Sequence, residues 1–520
     1  MQQQTKTTTA RTNVIVILAD DLGYSDIGCF GGEMETPNLD RLGRGGTRAS
    51  AFYNTARCSP SRASLLTGMH PHQTGIGILT EPLAPYGGYP GSLDPAVPTI
   101  AELLGGAGYA TCISGKWHLS SNTQEPGDAW PTRRGFDEFY GIMPGADSYF
   151  HPRNLWHNET RLPTPEDDYY FTDAVSEHAA GFIESNHDRP FFLYLAYTAP
   201  HWPLHAPEED IERHVERYLA GWDQLRGERL ERLRAEGLLG DESSLSPRDS
   251  RDPEWTETEA VNREWEARRM ATYAAMVERM DTGIGRVLEA VESSGRTDNT
   301  LIVFLSDNGA SAENLPPSVS PHFFKRQPSH TPSGEPMVIG NEPSILPGRP
   351  NTYTSYGRSW ANLSNTPFRL YKRWVHEGGI STPLLVSWPA GKLAEGGIVH
   401  TPFQLTDLVP TIAEAAGIGD AGAGVSMLPA LRGGETPEHP LFWEHVGNAA
   451  MRDGHWKLVR EADLPWELYD LATDRAEGHN LASEHSDVVA RMESAWQAWA
   501  DSVGVLPWPR MKEITAVHGG

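Results

Sequence analysis

The sequence predicts an α/β fold: a large mixed, mostly parallel sheet sandwiched by helices, then a smaller C-terminal antiparallel sheet with one helix packed on it. Three observations lead there. The runs Asn13 to Ala19, Pro190 to Tyr197 and Thr300 to Leu305 are apolar without alternation, as strands buried on both faces are. Between the last two lies an amphipathic helix, with Tyr273, Met276, Val277, Met280, Ile284, Val287, Leu288 and Val291 largely at three- and four-residue spacing. From about Leu441 the pattern changes to short strands, followed by a helix at Val488 to Trp499.

The 520 residues exceed one small core. They fit a large domain over 1–435, with insertions around 208–269 and 311–358, and a subdomain over 436–520. The net charge of -26 argues against nucleic acid and anionic membranes as partners. An anionic substrate must then be drawn by local cations or a metal. Three cysteines do not make a disulfide framework. The polar start, Met1 to Arg11, lacks the apolar core of a signal peptide, and no run is long enough to span a bilayer. A cytoplasmic location is expected.

The first buried run ends in Asp20 and Asp21, at the edge where open α/β sheets bind ligands. Adjacent aspartates repel unless a cation intervenes, so they suggest a hard divalent metal site. A solvated capping turn is the structural alternative. In Thr55 to Gly68, Ser59 suits an N-cap and Pro60 a first helical turn. That puts Cys58 just before a helix N-terminus, where an anion is favoured, with Arg62 in reach of it. A buried structural cysteine and a low-pKa thiol nucleophile are the other readings.

Thr99 to Leu104 reads as a short helix and Tyr109 to Ile113 as a strand. Lys116 and His118 flank Trp117, so on extended backbone they point the same way. His201 lies in a proline-rich loop after the second buried run, with His205 as a less specific loop histidine. The charged stretch Glu208 to Arg269 reads as exposed helices beside the site's mouth. The third buried run ends in Asp307 and Asn308. Together with Asp20 and Asp21 they make an all-oxygen donor set, which favours Ca2+ or Mg2+ over zinc. Ser311 to Arg358 is rich in Pro, Ser, Asn and Gly and reads as a substrate-pocket rim. Lys372 precedes Glu377-Gly378-Gly379, with Arg369 and Arg373 as competing cations.

Cys58-Ser59-Pro60-Ser61-Arg62, followed by Leu66-Thr67-Gly68, resembles the signature of type I sulfatases, the formylglycine-dependent branch of the alkaline phosphatase superfamily. The resemblance spans nearly the whole chain. It takes in the Asp20-Asp21 strand, the Lys116/His118 pair, the His201 loop, the Asp307-Asn308 strand and the Lys372 segment, in the family's order. It is nearest to bacterial arylsulfatases. It implies that a formylglycine-generating enzyme oxidises Cys58 to Cα-formylglycine. It further implies a metal, Ca2+ or Mg2+, held by Asp20, Asp21, Asp307, Asn308 and the modified Cys58, and a small sulfate ester as substrate. By the same resemblance, one hydroxyl of the hydrated aldehyde would attack sulfur, with Asp307 as base, while Arg62, Lys116 and Lys372 would neutralise the sulfate oxygens. His201, helped by Lys372, would protonate the leaving group, and His118 would be the base that releases sulfate. A phosphonate or phosphodiester hydrolase, a carbohydrate or alkyl sulfatase, and an unmodified anion-binding protein are the alternatives.

Overall fold

The computed structural model describes residues 11–81, 88–166, 168–257, 261–315 and 328–518. In the first half of the chain the strands are β1 (Asn13–Ala19), β2 (Thr47–Tyr53), β3 (Ala110–Lys116), β4 (Glu138–Ile142), β5 (Leu155–His157), β6 (Thr160–Arg161) and β7 (Phe191–Ala196). Then come β8 (Thr300–Ser306), the short pair β9 (Val338–Ile339) and β10 (Thr352–Tyr353), and β11 (Ser381–Ser387), β12 (Gly397–Val399) and β13 (Phe403–Gln404). Eleven of these form one sheet in the order β12-β2-β11-β8-β1-β7-β3-β4-β5-β6, with β13 also pairing β2. The centre, β8-β1-β7-β3-β4, is parallel. β11 runs antiparallel to both β2 and β8.

The two faces of β1 show why its residues are all apolar. Ile15, Ile17 and Ala19 pack into one core, with the helices Phe171–Ser185 and Arg263–Ser293. Val14, Val16 and Leu18 pack into another, with the helices Cys58–Thr67 and Leu408–Ala416. A strand covered on both sides needs no polar face.

A second sheet follows: β14 (Leu441–His445), β15 (Asn448–Asp453), β16 (Trp456–Arg460) and β17 (Glu467–Asp470), antiparallel in sequence order. The helix Ser486–Val503 covers one face through Met492, Trp496 and Ala500. The other face rests on the main body through Trp443, Ala450 and Val459, against Tyr53, Val375 and Ile380. Lys457 is fully buried there, with Nζ 2.8 Å from Glu377 and 2.9 Å from Glu477. A buried ammonium requires such partners.

Three expectations are corrected. Ser59 is not the N-cap. The helix begins at Cys58, capped by the extended backbone of Arg57, and it is the Ser61 hydroxyl that ties the preceding turn, 2.8 Å from Thr55 Oγ1. Lys116 and His118 are not on one extended strand. Lys116 ends β3, and His118 turns into the left-handed region at φ 56. The stretch 208–269 is not a set of exposed helices. In Trp222–Ala235, Leu225, Leu230 and Leu233 enter the main core. Arg229, on the same side, is fully buried against Asp26 at 2.7 Å and Glu33 at 2.7 Å. Charge there is paired rather than solvated. No helix of the described residues is long and apolar enough to cross a membrane.

Candidate active site

The parallel register between β1 and β8 sets Ala19 beside Ser306, so the residues that follow, Asp20-Asp21 and Asp307-Asn308, leave the sheet side by side. Asp21 has φ 67, which turns it back toward β8. Its N–H donates to Asp307 Oδ1 at 3.2 Å, and Asn308 Nδ2 donates to Asp21 Oδ1 at 2.7 Å. All four residues are buried.

Cations come from three other elements. Arg62, one turn into the Cys58 helix, donates to Asp307 Oδ2 at 3.2 Å and to the Lys116 carbonyl at 2.9 Å. Lys116, at the end of β3, donates to Asp20 Oδ2 at 2.5 Å. Lys372 lies 2.8 Å from Asp21 Oδ1. Its position follows from a backbone-to-backbone contact between two glycine segments. A Cβ on Gly309 would fall 1.9 Å from the Gly378 carbonyl oxygen, and the Lys372 N–H donates to the Ala310 carbonyl at 3.0 Å. The competing cations are engaged elsewhere. Arg369 donates to the Tyr469 hydroxyl at 3.0 Å, and Arg373 stacks over Trp374.

Cys58 Sγ lies 3.5 Å from His118 Nδ1. Asp20, Cys58 and Asp307 offer donor atoms within 4.8 Å of one another, as do Asp20, Asp21 and His201. His201 Nε2 is 3.6 Å from Asp21 Oδ2, and its Nδ1 meets the Trp202 carbonyl at 2.6 Å. The structure therefore brings together Asp20, Asp21, Cys58, Arg62, Lys116, His118, His201, Asp307, Asn308 and Lys372. His205 stays apart, its Nε2 bound to the Thr352 carbonyl at 2.7 Å.

The electrostatics of the cluster are strongly perturbed. Burial and the neighbouring Asp20 push the Asp307 carboxyl up to about 8, against Arg62 and Lys116. Burial also opposes ionisation of Asp20, but Lys116, His201, Arg62 and Lys372 outweigh it and hold that carboxyl well below the usual range. Burial, with Lys116 and Arg62, keeps His118 neutral. Burial likewise lowers His201, though Asp21 pulls the other way. Burial works against the Lys372 ammonium, but Asp21 and Glu313 outweigh it and raise its pKa. Burial pushes the Cys58 thiol up despite Lys116 and Lys372. An unmodified thiol here is neutral and a poor nucleophile.

Two buried oxygens decide whether a cation fits. Asp20 Oδ1 and Asn308 Oδ1 have no hydrogen-bond partner among the described residues. Buried polar atoms are rarely left so, and both belong to the hard-oxygen cluster beside Cys58. The residues present fit a hard divalent cation.

Above the cluster opens a cavity of about 660 Å3, lined by Cys58, His118, His201, Lys372 and a polar rim that includes Asp147, Arg153 and Arg161. Among the lining residues to which the sequence reading gave no site role are Arg57, counted there only among the charges around Cys58, and Glu313. Arg57 pairs with Glu313 at 2.8 Å, and Glu313 also accepts from Trp202 Nε1 at 2.7 Å. Arg57 could have been found from its place next to Cys58. Glu313 sits in a segment without periodicity and carried no signal. From 311–358, Glu313 and Tyr353 line the cavity, and residues 316–327 fall outside the described set. The stretch 208–269 adds no lining residue there among the described ones. Its Arg251 borders a neighbouring hollow with Arg57 and Lys372.

A cationic cradle and a cluster of hard oxygen donors, both at the C-terminal edge of a parallel sheet, suit the hydrolysis of anionic esters. The chain belongs to the sulfatase family: the family model described as Sulfatase matches residues 12–418. A second, described as N-sulphoglucosamine sulphohydrolase, C-terminal, matches residues 368–500. The arylsulfatase of Klebsiella aerogenes is 36% identical, over 81% of this chain and 90% of its own. An uncharacterized sulfatase of Schizosaccharomyces pombe is 32% identical over 96% and 95%. Among solved structures, Ps i-CgsB in complex with k-i-k-neocarrahexaose superposes with a TM-score of 0.66 at 27% identity, covering 94% of this chain and 93% of that one. The protein is a sulfate ester hydrolase with an alkaline-phosphatase-like fold.

Proposed function

We propose that the protein hydrolyses aryl-type sulfate esters, using a formylglycine derived from Cys58 and a divalent cation, Ca2+ or Mg2+. Asp20, Asp21, Asp307, Asn308 and residue 58 would hold the cation. The observation that carries this reading is the pair of unsatisfied buried oxygens, Asp20 Oδ1 and Asn308 Oδ1, beside a thiol too protonated to attack. When present, the modified residue and the cation supply a nucleophilic hydroxyl and a surplus of positive charge next to it.

The chain's own residues do the rest. Arg62, Lys116 and Lys372 balance Asp20, Asp21 and Asp307 in charge, so a monoanionic sulfate ester needs the cation's extra charge to be well bound. The three cations are set to receive its oxygens as charge builds on them. Asp307 takes the proton of the attacking hydroxyl in its ionised form, which burial and Asp20 make the stronger base. His118, neutral and 3.5 Å from the Cys58 sulfur, takes the proton whose loss frees sulfate. His201 donates from Nδ1 to the Trp202 carbonyl, which leaves Nε2 for the leaving oxygen. Asp21, 3.6 Å from Nε2, favours the protonated ring that gives the leaving oxygen its proton, and the charged Lys372, 2.9 Å from the same Asp21 oxygen, assists by its charge. Trp202 and Tyr353, edge to face at 5.9 Å, form an aromatic wall for the leaving group.

The helix carrying the Cys58-Ser59-Pro60-Ser61-Arg62 motif is buried from end to end, so the modifying enzyme must read it before the chain folds. Cys29, Cys58 and Cys112 are all unpaired, which supports a reducing, cytoplasmic setting. We treat 1–435 and 436–520 as the catalytic domain and subdomain, on the strength of the separate sheet that begins at Leu441. The test is metal removal. Chelated protein is expected to lose turnover of a chromogenic aryl sulfate and to regain it with Ca2+ or Mg2+. Full turnover in stripped protein would overturn the cation's role.

A further inference from the structure

At the edge of the main sheet, outside the cavity over Cys58, three side chains from three elements converge. They are Glu138 on β4, His157 on β5 and His178 on the helix Phe171–Ser185. We propose that Glu138, His157 and His178 form a second metal site, which takes a borderline transition cation such as Zn2+. This inference does not rest on the chemistry at Cys58.

The donor atoms lie within 4.8 Å of one another. Glu138 Oε1 is 2.9 Å from His178 Nε2 and 3.9 Å from His157 Nε2. A cation about 2.0–2.1 Å from each of two donors sets them about 2.9–3.4 Å apart. Of the three pairs, one already meets that spacing, a second needs a shift of about half an ångström, and the third, between the two imidazoles, lies within 4.8 Å. His157 is 49% exposed and Glu138 36%, so water can complete the coordination.

The orientation of His178 is the stronger argument. Ser114 Oγ donates its one hydrogen to the Val175 carbonyl at 2.8 Å. It can therefore only accept from His178 Nδ1, 3.2 Å away. A neutral His178 then aims the Nε2 lone pair at a carboxylate oxygen, acceptor against acceptor. A second proton or a cation must lie between them. A ring fixed through its far nitrogen, with the near one free, is the usual arrangement of a metal-bound histidine. Tyr140 stacks on the ring at 5.0 Å and 24°, and its hydroxyl meets that of Tyr169 at 2.9 Å, which holds the plane.

Two imidazoles with one carboxylate select zinc-like ions, unlike the all-oxygen set beside Cys58. The site would also tie the β5–β6 hairpin to the body of the sheet. That hairpin and the residues just before it carry Arg153, Asn154 and Arg161 to the cavity rim. A cation here would steady the rim without touching the reacting atoms.

The test is calorimetric titration of Zn2+ into holoenzyme kept in excess Ca2+. One Zn2+ per chain is expected, with affinity falling at least about tenfold in both His157→Ala and Glu138→Gln. Co2+ in place of Zn2+ should give the visible absorption of a four- or five-coordinate ion in the parent only. Without Zn2+, aryl sulfate turnover by His157→Ala should equal that of the parent. No Zn2+ binding by the parent, or equal binding by the parent and both variants, would overturn the proposal. So would loss of thermal stability in Glu138→Gln with no Zn2+ effect in the parent, the mark of a protonated His178–Glu138 ion pair alone.

Discussion

A Cys58→Ala variant is expected to fold as the parent does and to lose at least about four orders of magnitude in aryl sulfate turnover. The two halves of that result have separate causes. Cys58 is a small side chain, 3% exposed, whose sulfur meets His118 Nδ1 at 3.5 Å. Removing one sulfur atom costs about 1 kcal/mol, the size of an ordinary substitution. Arg62, Lys116 and the carboxylates keep one another in place without it. The loss of rate comes from losing the nucleophile while the cradle stays intact. The parent chain made in a host without the modifying enzyme should behave like the variant, because burial keeps its thiol protonated. Steady-state assay and thermal unfolding by circular dichroism, run in parallel, check both halves.

The second large effect is expected from Asp307→Asn. The side chain keeps its shape and its acceptor oxygen for the Asp21 N–H, held at 3.2 Å in the parent. It loses the charge that burial and Asp20 oppose. Relief of that repulsion should leave the metal-free protein as stable as the parent or more so. Divalent-cation affinity should fall by at least about tenfold, since a charged oxygen donor is gone. Turnover should fall below detection, with both a ligand and a base removed. Melting curves with and without Ca2+ separate these effects. The variant should lose the Ca2+-dependent rise in Tm while its Ca2+-free Tm holds. A protein that unfolds on this substitution, or keeps the full Ca2+ shift, would contradict the placement of Asp307.

The parts of the site that could be read from sequence share one property: local chemistry that does not depend on a distant partner. The continuous apolar runs of β1, β7 and β8 announce strands buried on both faces. Asp20, Asp21, Asp307 and Asn308 sit where such strands end. The parallel register of β1 and β8 then brings the two pairs together. Lys372 is the exception: its local chemistry reads as a solvated basic face, and only the family resemblance, through its offset from Glu377-Gly378-Gly379, singles it out; the contact of Gly378 with Gly309 shows what holds that segment against β8.

The misreadings share the opposite property. In Trp222–Ala235, Arg226 and Arg229 look like a solvated face. Arg229 is buried because Asp26 and Glu33, some 200 residues earlier in the chain, are waiting for it. Ser59 has the chemistry of a cap, but the extended Arg57 already starts the helix. His118 reaches the site through a left-handed turn that a strand pattern does not announce. Glu313 acquires its role only through Arg57 and Trp202, both distant in sequence.

The most direct test of the account is the mass of the proteolytic peptide spanning Cys58, taken from protein that turns over a chromogenic aryl sulfate. The account predicts the aldehyde mass, in a fraction of molecules that rises in step with specific activity across preparations. A peptide carrying only the unmodified thiol, in protein with full turnover, would contradict it.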